Sequence, residues 1–209
     1  MVHVALARRP VLDRPDEPAR WIRLRGRHGP DSLWAQSLLA RRITEHRAEA
    51  RVTVRAGLST FTQAAGLLLW YNTAAYFALG LTWAEAAGEE QCGQQWRGAG
   101  RTVLALTARD EDETCLVAAV DADADAPVVL GATVEHGEAR FWYAAGDRIR
   151  HSVGPPLDFT LLSDDHRSRL RFTGAMAAIH AMAAIHAVDL VDASFTADFA
   201  GFRLDCVPD

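Results

Sequence analysis

Eight histidines and several crowded groups of carboxylates are the residues of this sequence best suited to hold a metal or move a proton. His180 and His186 lie six apart, in the two copies of a tandem AMAAIH repeat (Ala175 to His180, Ala181 to His186). On a strand that spacing puts both rings on one face but about 20 Å apart, and on a helix it puts them about 240° apart around the axis. Neither arrangement lets the pair chelate one ion, so the spacing reflects the duplication and no metal site is expected. The carboxylates fall in Asp110, Glu111, Asp112 and Glu113, then Asp121, Asp123 and Asp125, then Asp164 and Asp165. A general acid needs burial, or a like-charged neighbour in a pocket, to raise its pKa. Acids crowded into polar turns have neither, and they read as solvated surface. Asp164 and Asp165 offer oxygens to a cation, but without the ligand spacing of a calcium loop.

Cys92, Cys115 and Cys206 lack C-x-x-C spacing and read as free thiols of a reducing compartment. No G-x-S-x-G, P-loop or dinucleotide-binding glycine pattern occurs. The residues therefore supply no catalytic centre, and no cofactor is expected. What remains is aromatic: Trp34, Trp70, Tyr71 and Trp142 could stack on the apolar face of a ligand ring, although an aromatic in a strand is more often core.

The elements that must position these side chains are strands. Trp21 to Gly26 alternates with period 2, Ser37 to Arg41 and Ala48 to Val54 follow, and Ala64 to Thr73 and Ala75 to Trp83 form an apolar hairpin turning at Asn72-Thr73. Glu85 to Arg101 reads as a long polar connection. Thr102 to Ala108, CLVAAV, and the pair ATVE and EARFWY around His136-Gly137 complete the series, with Asp121 to Pro127 as a charged turn. Short strands at roughly ten-residue spacing predict an all-β, two-sheet antiparallel sandwich. Residues 1–209 are expected to form a single such domain, with 1–20 irregular because Pro10, Pro15 and Pro18 interrupt them. Gly174 to Leu190 has high intrinsic helix propensity. However, a six-residue duplication preserves facing only in a strand, so a strand or loop extended by the repeat is favoured over a helix.

Composition narrows the partners. With 49% hydrophobic and 23% charged residues the chain can bury a sizeable core. A net charge of -5 without a basic block excludes the electrostatic footprint of nucleic acid or an anionic membrane. The N-terminus meets Arg8, Arg9 and Pro10 before any apolar run of signal-peptide length, so a cytoplasmic location is expected.

Taken in order, WIRLRGR, QSLLARR, FTQAAGLLLWYNT, ARFWYAAG, VGPPLDFTLLSDD, FTGAM and ADFAGFRL resemble the C-terminal concanavalin A-like sandwich of glycoside hydrolase family 43 β-xylosidases, over nearly the whole chain. The resemblance implies that catalytic carboxylates belong to a five-bladed propeller, which nothing in this sequence resembles. It implies that the sandwich is an accessory domain, packs on that propeller, and lends a bulky side chain to the rim of a pocket for short xylo-oligosaccharides. Phe172 and Met176 are then the candidates for lip or docking, Met176 standing where the family often has a second aromatic. An exposed apolar docking face is expected, through which the isolated domain could form a homo-oligomer. The alternative is an independent carbohydrate-binding module using the four aromatics named above.

Overall fold

A computed structural model of the chain describes residues 21–85, 100–111, 113–123, 126–146, 149–163, 182–191 and 194–208. In chain order the strands are β1 (Ile22–Arg25), β2 (Ser37–Arg42), β3 (Arg47–Ala56), β4 (Gln63–Asn72), β5 (Ala75–Glu85), β6 (Gly100–Asp110) and β7 (Glu113–Asp121). They continue with β8 (Val128–Glu135), β9 (Glu138–Ala144), β10 (His151–Ser152), β11 (Leu157–Asp158), β12 (Met182–Asp189) and β13 (Thr196–Val207). The strands form two antiparallel sheets: β1-β13-β3-β8-β9-β10 with β11 also on β9, and β2-β12-β4-β5-β6-β7. This is the predicted all-β sandwich, and a 3-10 helical turn (Phe159–Leu162) is its helical element among the described residues.

Each sheet turns alternate residues toward a shared core. On β3, Ala48, Ala50, Val52, Val54 and Ala56 are buried while Arg47, Arg51 and Arg55 face water, which is the period-2 pattern of a half-buried strand. Phe77 of β5 meets Phe141 of β9 edge to face, with ring centroids 6.2 Å apart, tying the two sheets together. His136 and Gly137, both at positive φ, make the two-residue hairpin between β8 and β9. The β4–β5 turn sits one residue later than its sequence suggests. Asn72 ends β4, and its Oδ1 accepts the N–H of Ala74 at 2.8 Å, mimicking a backbone turn.

Met182 to Asp189 is a strand despite its helix-forming composition, because β12 is hydrogen-bonded on both sides, to β2 and to β4. Tertiary pairing overrides intrinsic propensity here. The first copy of the repeat, Ala175 to His180, lies outside the described residues, as do residues 1–20 and most of the polar connection after β5.

The outer face of the β3 sheet is charged. On it Asp198 of β13 accepts Nε and Nη2 of Arg23 from β1 at 2.6 and 2.9 Å and Nη2 of Arg55 from β3 at 3.1 Å, while Trp21 lies 4.9 Å from the Arg55 guanidinium. The hydrogen bonds from Arg23 lead in holding the Asp198 carboxyl down at about 2. Asp198→Asn should lower stability by about 1 kcal/mol in urea unfolding at neutral pH, and by less in high salt, because both arginines remain largely solvated.

Candidate docking face

The other sheet presents a different outer surface. Leu38 and Ala40 of β2, Leu68 and Trp70 of β4, and Tyr76 of β5 form a buried apolar cluster separate from the main core. The next register row runs Leu38, His186, Gly66, Gly80 and Ala105. A Cβ on Gly66 would come within 2.2 Å of the Leu79 carbonyl oxygen, so β4 and β5 approach too closely there for any side chain. A sheet face meant for water carries polar residues at these positions; apart from His186 this one is small and apolar.

One loop lies over the Trp70 end of that face. Between β1 and β2, the Gln36 side-chain amide donates to the carbonyl oxygens of Gly29, Pro30 and Ser32 at 3.1, 3.0 and 2.6 Å. The Trp70 indole N–H donates to Pro30 O at 3.2 Å, and Asp31 stands 3.9 Å from Arg109. Burial, followed by the nearby Asp31 charge, pushes the Tyr76 hydroxyl up to about 12 and keeps it protonated. A loop fixed in this way exposes its two bulky apolar residues instead of folding them inward: Leu33 is 76% and Trp34 72% exposed. Ordered apolar side chains on a stapled loop lose little entropy when a partner covers them.

The sequence matches the family described as the β-xylosidase C-terminal concanavalin A-like domain, over residues 7–205. The chain belongs to that family. Among solved structures it is similar to a xylan β-1,4-xylosidase from Bacillus halodurans C-125, at 24% identity and TM-score 0.75, covering 88% of this chain and 32% of that one. It is also similar to the GH43 BlXynB protein from Bacillus licheniformis, at 20% identity and TM-score 0.68, covering 90% and 33%. The chain thus spans about a third of the length of these two proteins. A functionally unknown protein from Saccharomyces cerevisiae shares the fold at 10% identity and TM-score 0.56, with 97% of its chain covered. No curated protein matches the sequence significantly.

Within this C-terminal-domain fold the four candidate aromatics are dispersed. Trp34 is exposed on the stapled loop, and Trp70 is 9% exposed beneath Pro30. Tyr71, 3% exposed, points the opposite way from Trp70, into the core between the sheets. Trp142 lies on the outer face of the β3 sheet, its ring filling the space a Gly131 side chain would take. The Arg150 guanidinium caps it at 4.0 Å and pairs in turn with Glu49. The structure therefore brings no two of them onto one open platform. Phe172, Met176, Asp164 and Asp165 lie outside the described residues. Among the described residues no cluster of three or more His, Cys, Asp or Glu could hold a metal ion, and no helix is long and apolar enough to cross a membrane.

Leu33 and Gln36 are the residues that reading the sequence for function passed over, and His186, weighed there as a metal ligand, is instead a buried imidazole. Leu33 left a signal: two adjacent bulky apolar residues, Leu33-Trp34, inside a Gly, Pro, Asp and Ser stretch. Gln36 left none, because its role depends on three carbonyls that only the folded loop brings together.

Proposed function

We propose that this chain is a non-catalytic accessory domain of a family 43 glycoside hydrolase, acting as a single unit that packs on a catalytic propeller in the same or a separate polypeptide. The observation that carries the reading is the pair of bulky apolar side chains, Leu33 and Trp34, that the stapled loop holds exposed beside the buried Trp70 cluster. A stable interface buries about 1,200 Å² or more, with aromatic anchors near its centre, and the stapled loop supplies such an anchor. The shaping of a pocket for short xylo-oligosaccharides falls to Phe172 and Met176 in this reading. Asp198, the acid held at about 2, is shifted in the wrong direction for a general acid.

The test is to mix the purified chain with a family 43 propeller expressed without its own C-terminal domain, then follow complex formation by sedimentation and xylobiose hydrolysis in the same sample. The expected result is a complex whose propeller is more active than alone, with no hydrolysis by this chain by itself. Cleavage by this chain alone, or failure to form a complex, would count against it.

A second reading is favoured by the open ring of Trp34, which is free to stack on a sugar. Calorimetric titration of xylo-oligosaccharides into the isolated chain separates the two. Saturable binding that Trp34→Ala abolishes would select an independent carbohydrate-binding module.

A further inference from the structure

The repeat that the proposed function leaves unused has a structural consequence. Residues Ala175 to Ala181 and Ala181 to Ala187 both read AMAAIHA. Strand β12 uses the second copy: Met182 pairs with Arg42 and Trp70, Ile185 with Leu39 and Leu67, His186 with Leu38 and Gly66, and Ala187 with Ser37 and Ala65. Sliding the chain by six residues would put an identical residue into every one of the positions 182–187. Because six is even, it would also keep every side chain on its present face.

Only the last two positions of β12 distinguish the registers. Met182 would take the place of Val188, an exchange that an adaptable apolar side chain tolerates. Ala183 would take the place of Asp189, and that exchange is not neutral. The Asp189 carboxylate is buried and accepts the backbone N–H groups of Val191 at 3.1 Å and Phe195 at 2.9 Å. Its own N–H donates to Arg27 O at 2.9 Å, and its Cβ packs where a Gly26 side chain would stand. The slipped strand keeps the backbone bond and the space, and loses both bonds to the carboxylate.

We propose that β12 has two registers six residues apart and that Asp189 is the residue that selects the observed one. The slip moves six residues from the connection before β12 to the connection after it. It thereby shortens the tether on the segment that carries Phe172 and draws Met176 into the strand position that Met182 now holds. The two-register device stands on the pairing and the repeat alone, whatever the domain docks on.

The test moves the lock along the chain. Asp189→Ala should lower the melting temperature. Adding Ala183→Asp should restore at least about half of that loss, because the slipped register would place the new aspartate where Asp189 stood. Hydrogen-exchange mass spectrometry should then find the protected hexapeptide at 176–181 instead of 182–187. In a chain with one copy of AMAAIH deleted, the same Ala183→Asp and Asp189→Ala pair should give no recovery. If the double variant of the full chain is no more stable than Asp189→Ala, or protection stays at 182–187, the inference fails. In the observed register an aspartate at 183 sits opposite Leu69 and can only add to the damage. Should Asp189→Ala not fold, folding of the double variant supports the inference and its failure to fold overturns it.

Discussion

Replacing Leu33 with aspartate and Trp34 with alanine together is expected to weaken binding to a family 43 propeller by about 30-fold or more, equivalent to about 2 kcal/mol. The domain's own unfolding midpoint should shift by less than about 0.5 kcal/mol. The two effects separate because both side chains are mostly exposed and contribute to neither buried cluster. The charge at position 33 adds a desolvation cost at a covered interface that it does not incur in water. Gln36→Ala should show a smaller loss of affinity, about 1 kcal/mol, because it frees the loop without removing its contact residues. Sedimentation titrations of the three proteins against one propeller read all of these. A propeller that binds wild type and double variant equally would remove the loop from the interface while leaving the accessory role intact. A propeller that binds neither would remove the role.

Most of the fold is legible in the order of residues because the two sheets write different patterns. The strands of the charged sheet alternate, as in RAEARVTVRA of β3, and period 2 identifies them directly. The strands at the centre of the other sheet, QAAGLLLWYN and AYFALGLTWAE, are apolar along their middles; they show an element buried on both faces but not what covers the outer one. The short pairings of β10 and β11 on β9 escape any periodicity because two residues cannot display one. β12 is legible only through the repeat. Its composition favours a helix, and the facing argument for six inserted residues is what points to a strand.

The candidate face was less legible, for a geometric reason. Counting aromatics singles out Trp70, Tyr71 and Trp142 alongside Trp34, but adjacent residues of one strand point to opposite faces, so Trp70 and Tyr71 cannot serve one surface. Trp142 is taken by Arg150, 8 residues further along the chain, a contact that no local pattern announces. Exposure of a bulky side chain follows from what its own loop is bonded to. For Trp34 those bonds run to Gln36 and, through Pro30, to Trp70 on another strand.

Acidification from pH 7 to about pH 4 should remove about 3 kcal/mol of stability through His186 alone, and His186→Leu should abolish that share. The imidazole is buried between Leu38 of β2 and Gly66 of β4, and neither ring nitrogen has a hydrogen-bond partner among the described residues. Burial pushes its pKa down from 6.5 to about 4. Between those values the unfolded chain binds the proton and the folded chain does not. Stability is therefore complete above about pH 6.5 and falls as the pH drops toward about 4, by about 1.4 kcal/mol per unit of difference. Leucine has a similar volume and no polar atom to strand. At pH 7 the variant should accordingly be more stable than wild type by about 1–3 kcal/mol, the cost of leaving buried polar atoms unpaired. Urea unfolding of both proteins at pH 7 and pH 4.5 isolates the effect, since every other titrating group is common to the two. Parallel pH profiles would show that His186 is reached by water or a donor in the folded state. A wild-type profile that diverges from the variant's only below about pH 6.5 would establish it as the acid-labile point of the apolar face.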